Sequence, residues 1–167
     1  MSLMVCCRDL TNRPNAQSAF ERIIALGYYD GPTSGVAECC VCSSGYKYGI
    51  VAWDANEDVR IYVLAPIGND VFVSIVNTLS RLGTPQWPVW VPRWEFHSRE
   101  LQESINTYLE SLLASAGEER LVISTEDLSK TIIACKGLDE PSRTRISYVR
   151  DLNDPETRNY WFSYIER

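Results

Sequence analysis

Residues 35–65 read GVAECCVCSSGYKYGIVAWDANEDVRIYVLA, and this stretch decides the predicted fold. It contains three runs rich in strand-forming residues, at about 35–42, 46–54 and 59–65. Only short polar connections separate these runs, and such connections suit antiparallel hairpins because parallel neighbours need long crossovers. We therefore predict an antiparallel three-stranded meander over about residues 35–65.

Helical periodicity flanks the meander and predicts helices at about 16–26, 71–82 and 99–116. In each of them, apolar residues recur three or four positions apart, which places them on one helical face. Ser98 has the residue type and position of an N-cap for the third helix. Asn69 or Asp70 has the same signature for the second helix. Together with the meander, these helices indicate an α+β fold.

The C-terminal part is predicted as a mixed β/α segment. A short strand is expected at about 120–124, a helix at about 125–136 and a second strand at about 143–149. Asn153 to Glu156 resemble the start of a helix, yet the aromatic residues that follow alternate as in a strand, so residues 150–167 fit either structure.

The length of 167 residues favours a single globular domain over residues 1–167. Met1 to Leu3 precede a second methionine and resemble a cloning remnant. Residues 84–97 are rich in tryptophan and proline and form the one internal connection at which the chain could divide.

Composition narrows the classes of partner. The net charge of −6 argues against nucleic acid, because proteins that bind phosphate backbones rely on Lys and Arg. A membrane span is not expected, since no apolar run approaches the roughly 20 residues that a span requires. Without an export signal, the six cysteines are expected to be reduced thiols in the cytoplasm.

A candidate metal site lies at Cys39 and Cys42, which have the C-x-x-C spacing of a metal knuckle and precede the small residues of a tight turn. Zinc is the one candidate cofactor, and a structural zinc ion needs four ligands. The further candidates are Cys6, Cys7, Cys135 and His97, although adjacent cysteines are awkward ligands for one ion.

The alternative is that these cysteines are small apolar residues of an extended strand. Cys40 and Cys42 would then share one face of the strand while Cys39 pointed to the other, and the knuckle could not form. A redox C-x-x-C is disfavoured, because such a motif normally opens a helix whose N-terminus stabilises the thiolate, and the context here is typical of a strand. The sequence leaves the metal and the structural interpretations open.

A candidate binding surface lies in residues 84–94, which read TPQWPVWVPRW. Proline keeps such a segment extended, and a three-residue repeat would put Trp87 and Trp90 on one side, with Trp94 close by. Tyr46 and Tyr48 add an aromatic sheet face. These rings could stack on a sugar ring or anchor a protein partner, since tryptophan is common in interface hot spots. Alternatively, the tryptophans seal the core between two helices.

Three functional hypotheses follow. The first is a non-catalytic intracellular interaction or accessory protein that binds a partner protein through its aromatic surface. The second is a zinc-stabilised adaptor that uses the C-x-x-C knuckle. The third is an enzyme with an unfamiliar acidic site at Asp54, Asp58 and Arg60, and it is the least favoured because His97 is the only histidine and no nucleophile or phosphate-loop motif occurs.

Overall fold

The computed structural model of the protein describes residues 6–7, 20–54, 59–117, 121–125 and 148–149. Its strands are β1 (Phe20–Tyr28), β2 (Pro32–Cys39), β3 (Gly45–Asp54), β4 (Val59–Pro66), β5 (Val89–Trp90), β6 (Leu121–Thr125) and β7 (Tyr148–Val149). Its α-helices are α1 (Asn69–Leu79) and α2 (Arg99–Leu113), with single 3-10 turns at Ser80–Leu82 and Trp94–Phe96. The described part of the chain is therefore an α+β structure.

The described strands form one mixed sheet in the spatial order β5-β1-β2-β3-β4-β6, and β7 pairs with β3 outside this path. Strands β2, β3 and β4 arise from the region predicted as a meander and pair antiparallel in sequence order. They do not form a separate three-stranded unit, because β1 extends the sheet beyond β2 and β6 extends it beyond β4.

The helix predicted at 16–26 is wrong over its described residues, which belong to strand β1. The first four residues of that prediction lie outside the described part. Both faces of β1 are covered: Ile23 packs in a cluster with Tyr62, and Ile24 packs in another cluster with Phe72. A strand that is buried on both faces lacks the apolar–polar alternation of a half-buried strand. Its adjacent isoleucines therefore fitted the spacing of a helical face, and a helix was predicted.

The two predicted helices that follow are present with shorter bounds, as α1 and α2. The Ser98 cap of α2 is confirmed, because the Ser98 hydroxyl accepts a hydrogen bond from the Leu101 amide at 3.2 Å. The predicted cap of α1 is wrong: Gly68 occupies the N-cap position and no side chain caps the helix. The amide of Asn69 forms hydrogen bonds elsewhere, as described below.

The core has two parts, one on each face of the sheet. Both α-helices pack on one face, where Phe72 and Ile75 of α1 meet Ile105 and Leu109 of α2. The cluster on the other face contains tyrosine side chains of β3 and β4 together with cysteines. This second face holds the candidate site.

The Trp/Pro-rich connection reaches the edge of the sheet through β5, which pairs parallel with β1 over only two residues. Proline precedes this strand at position 88 and follows it at position 92. The Pro88 carbonyl accepts a hydrogen bond from the Ile23 amide at 2.8 Å, which fixes the connection against β1. Proline thus limits β5 to a short edge strand.

The structure describes only two short parts of the predicted C-terminal segment, residues 121–125 and 148–149. Strand β6 falls where the strand at 120–124 was predicted, and β7 covers the last two residues of the predicted strand 143–149. The helix predicted at 125–136 and the final residues 150–167 lie outside the described residues.

Candidate metal centre

The connection between β2 and β3 forms a tight turn that brings Cys39 and Cys42 together. The Cys39 amide donates to the Ser44 carbonyl and the Ser43 amide donates to the Cys39 carbonyl, both at 2.9 Å. Ser43 adopts a left-handed conformation with φ of 58°, which reverses the chain direction. The alternative of a fully extended strand through Cys42 is therefore wrong, because β2 ends at Cys39.

Four cysteines meet at this turn: the sulfur atoms of Cys6, Cys7, Cys39 and Cys42 all lie within 4.8 Å of one another. The thiols of Cys7 and Cys42 are 3.5 Å apart. Zn–S bonds of about 2.3 Å would separate the sulfur atoms of a tetrahedral site by about 3.8 Å. The spacing in this cluster therefore fits a metal ion bound by four thiolates.

Burial differs among these four ligands. Cys7 and Cys39 are buried in the tyrosine-containing cluster of the core, whereas Cys6 and Cys42 are partly exposed. The cluster thus has an inner side that is shielded from water and an outer side that solvent reaches. A structural metal site needs this kind of support from surrounding side chains.

Hydrogen bonds surround the buried thiols. The Cys7 amide donates to the sulfur of Cys39 at 3.4 Å, and the Tyr46 hydroxyl lies 3.2 Å from the sulfur of Cys7. The Cys42 thiol contacts the Ser44 hydroxyl at 3.1 Å. Such contacts orient the sulfur atoms, and N–H donors stabilise negative charge on them.

The same contacts shift the acidity of the thiols in opposite directions. A hydrogen bond from Cys7, together with backbone amides of the turn, holds the pKa of Cys39 well below its usual range. The hydrogen bond to Cys39 and burial raise the pKa of Cys7. These shifts favour negative charge on Cys39 over Cys7, and a bound cation would displace the remaining protons.

Cys40 lies between the two knuckle cysteines in sequence but does not belong to the four-cysteine cluster. Cys40 is partly buried. Burial is the main cause that raises its pKa, and the nearby charge of Cys39 raises it further. Cys40 is consequently a matched control for experiments on its neighbours, because it has the same chemistry and nearly the same position.

A polar network anchors the turn to the start of α1. The Asn69 side-chain amide donates to the Ser43 carbonyl at 2.8 Å and to the Glu38 carboxylate at 2.9 Å. The other oxygen of Glu38 accepts a hydrogen bond from Arg22 at 3.0 Å. This arrangement explains why Asn69 does not cap its own helix, and it holds the knuckle against the body of the protein.

The other predicted metal ligands have different positions. His97 is not in the cluster; its ring nitrogen Nε2 lies 2.8 Å from the Leu82 carbonyl, in the connection before α2. Cys135 lies outside the described residues. Cys6 and Cys7 were candidates that sequence reasoning ranked low because of their adjacency, and the structure brings both to the knuckle.

The predicted tryptophan surface is divided between core and solvent. Trp90 is buried and Trp94 is partly buried against the helix-side core, whereas Trp87 retains 38 % of its exposure. The rings of Trp87 and Trp90 touch edge to face with centroids 6.0 Å apart. The Arg22 guanidinium lies 4.8 Å from the centre of the Trp87 ring. Trp87 is thus the most solvent-exposed tryptophan of this segment.

The two predicted tyrosines lie in or near the core. Tyr48 is buried, and its hydroxyl donates to the Ile24 carbonyl at 3.0 Å. Tyr46 is partly buried, and its hydroxyl contacts Cys7 in the cysteine cluster. Tyr46 is therefore a neighbour of the candidate metal centre.

The acidic site of the enzyme hypothesis stays a prediction. The side chain of Asp54 and the whole of Asp58 lie outside what the structure describes. Arg60 is buried, and its guanidinium donates to the backbone carbonyl of Asp30.

No protein-family model, no curated protein and no solved structure matches this chain. Neither α-helix in the described part of the chain is long and apolar enough to cross a bilayer. Within the described residues, the four-cysteine cluster is the one group of metal-binding side chains that converges on a common point.

Proposed function

We propose that the protein is a non-catalytic accessory protein whose fold contains one structural zinc ion, bound by Cys6, Cys7, Cys39 and Cys42. The observation that carries this proposal is the approach of all four sulfur atoms to within 4.8 Å of one another. A tetrahedral set of four sulfur ligands is typical of zinc or iron. Four protein ligands leave no open position for a substrate, which favours a structural role.

The ion would join two distant parts of the chain. Cys7 and Cys39 are 32 positions apart, and their thiols meet at the end of strand β2. The Cys7 amide and thiol already contact Cys39, Cys42 and Tyr46, and the ion would add metal–sulfur bonds to these contacts. Since the site forms only in the folded chain, the free energy of zinc binding contributes directly to folding.

A cytoplasmic location forms part of the proposal. Thiolate ligands must stay reduced to bind zinc, and the cytoplasm keeps thiols reduced.

The test is the metal content of the full chain, purified under reducing conditions without metal-affinity resin. Elemental analysis should find about one zinc per chain, and iron in its place would identify the other metal that a four-sulfur site accepts. Cys39→Ser and Cys42→Ser should each lose the metal.

The matched control is Cys40→Ser, which should retain the full metal content because Cys40 is outside the cluster. A freshly purified, folded chain that contains no metal and whose melting temperature does not respond to added zinc or chelator would contradict the proposal.

Binding of a partner protein through the aromatic surface is a second candidate function, and the exposure of Trp87 favours it. The Arg22 guanidinium lies over the indole, so an aromatic ring and a partly exposed cation lie side by side at the Trp/Pro connection. Trp87→Ala should abolish retention of a stoichiometric partner and lower the melting temperature less than Trp90→Ala does, because Trp87 is the more exposed of the two. Trp90→Ala is the control for lost packing, since Trp90 is buried. Unchanged retention by Trp87→Ala would contradict this role.

A further inference from the structure

Two of the four proposed zinc ligands are already close enough to react with each other. The sulfur atoms of Cys7 and Cys42 are 3.5 Å apart, and a disulfide bond would bring them to about 2.0 Å. The movement needed is small, and Cys42 belongs to the turn, which connects two strands without being part of either.

The two sulfur atoms differ in their access to solvent. Cys42 is partly exposed and follows the exposed residue Val41, whereas Cys7 is buried. A small oxidant arriving from solvent therefore meets the sulfur of Cys42 before that of Cys7. This pairing of an accessible thiol with a buried neighbour is the arrangement of a reactive cysteine and its resolving cysteine.

We infer that the cysteine cluster is a peroxide-responsive switch, in which hydroperoxide joins Cys7 to Cys42 in a disulfide and the zinc ion is released. The inference rests on the proposed zinc centre and concerns its regulation. Hydroperoxides are the class of oxidant, because they are small enough to reach a sulfur at the rim of a folded core.

The chemistry balances in two steps. The Cys42 thiolate attacks one oxygen of hydrogen peroxide, the O–O bond breaks, and a sulfenic acid and hydroxide form. The Cys7 thiolate then attacks the sulfur of Cys42, the S–S bond forms, and a second hydroxide leaves. Two electrons pass from the two thiolates to one peroxide molecule. The two remaining ligands, Cys6 and Cys39, are too few to retain a structural zinc ion.

The disulfide would connect the same two parts of the chain that the ion connects. Cys7 belongs to the N-terminal side of the cluster and Cys42 to the turn between β2 and β3, so oxidation replaces the link through the metal by a covalent link. The oxidised protein should therefore stay folded, unlike the reduced protein after chelation.

The experiment uses the full chain with its zinc content measured first. One equivalent of hydrogen peroxide should release about one equivalent of zinc, detected with a colorimetric chelator, and consume two thiols. Peptide mapping should find Cys7 linked to Cys42. Dithiothreitol followed by zinc should restore the starting content, and the melting temperature of the oxidised protein should exceed that of the chelated, reduced protein.

Two variants sharpen the result. Cys40→Ser should release zinc as the unmodified protein does, which excludes Cys40 as the oxidised partner. Ser44→Ala removes the hydroxyl that contacts Cys42 at 3.1 Å and should change the rate of release without changing the zinc content.

The possible failures are distinguishable. A chain that binds no metal contradicts the zinc centre itself. A zinc-loaded chain that keeps its ion in tenfold excess peroxide, or releases it with a disulfide other than that between Cys7 and Cys42, contradicts the switch and leaves the zinc centre intact.

Discussion

The two faces of the sheet are closed in different ways. On the face beneath α1 and α2, aliphatic and aromatic side chains such as Phe72, Ile75 and Ile105 fill the space between sheet and helices. On the opposite face, buried tyrosine hydroxyls donate to backbone carbonyls and thiols converge beside the β2–β3 turn. Packing on the first face depends mainly on volume, whereas packing on the second depends on specific polar partners. The reactive groups of the described residues are accordingly concentrated on the second face.

The largest expected change in stability is for a substitution in the four-cysteine cluster, on the sheet face opposite the helices. Cys42→Ser should lower the free energy of unfolding by about 5 kcal/mol or more, because loss of a structural metal removes its entire binding contribution. Denaturant unfolding of the zinc-loaded chain measures this effect. Cys40→Ser should change it by less than about 1 kcal/mol. Equal effects of the two substitutions would show that Cys42 is a packing residue only.

Phe72→Ala tests the helix face. Phe72 is fully buried between α1 and the sheet, so its truncation should cost about 4 kcal/mol through lost burial and an unfilled cavity. Zinc content should stay at one per chain, and chelator should lower the melting temperature of this variant as it does that of the unmodified protein. A loss of zinc in folded Phe72→Ala would mean that the two faces are not independent.

Tyr48→Phe tests whether packing on the sheet face opposite the helices depends on its hydrogen bonds. The substitution keeps the ring but removes the hydroxyl that donates to the Ile24 carbonyl, and the buried carbonyl loses that partner. Unfolding should become easier by about 1 kcal/mol. The measurement is chemical denaturation at constant zinc concentration. A stability equal to that of the unmodified protein would show that shape alone suffices on this face too.

The smallest effect is expected for Asn69→Ala. Its amide links the turn to Glu38 through two hydrogen bonds, but the residue is exposed, so the loss of stability should be under about 1 kcal/mol. Zinc affinity, measured by competition with a chelator, should fall by less than about tenfold, because Asn69 acts on the turn and not on a ligand. Asn77→Ala, at an exposed position of the same helix, is the control and should leave the affinity unchanged.

Sequence reasoning succeeded where one local signal dominates. Ser98 identified the start of α2 because a serine hydroxyl satisfies a free helix amide wherever the helix lies. The approach of Cys39 and Cys42 was predicted from their spacing alone, since two side chains separated by two residues can meet in any tight turn. In both cases, the deciding interaction spans only a few residues.

The same reasoning failed where distant parts of the chain decide the outcome. Strand β1 was predicted as a helix because the sequence does not reveal that both of its faces are covered. Asn69 was assigned to its own helix, although its partners, Glu38 and Ser43, precede it by more than 25 positions. The convergence of Cys6 and Cys7 on the knuckle likewise depends on a contact across more than 30 residues.

Strand β5 lies at an edge of the sheet and is relevant to self-association of the protein. An uncovered sheet edge is a template on which a foreign strand can pair through main-chain hydrogen bonds. At this margin, β5 is only two residues long and is flanked by Pro88 and Pro92, so an incoming strand would find too short a ladder on which to pair. Replacing the exposed Pro88 by a residue with an amide hydrogen would allow this edge strand to lengthen and should make the protein more prone to aggregate.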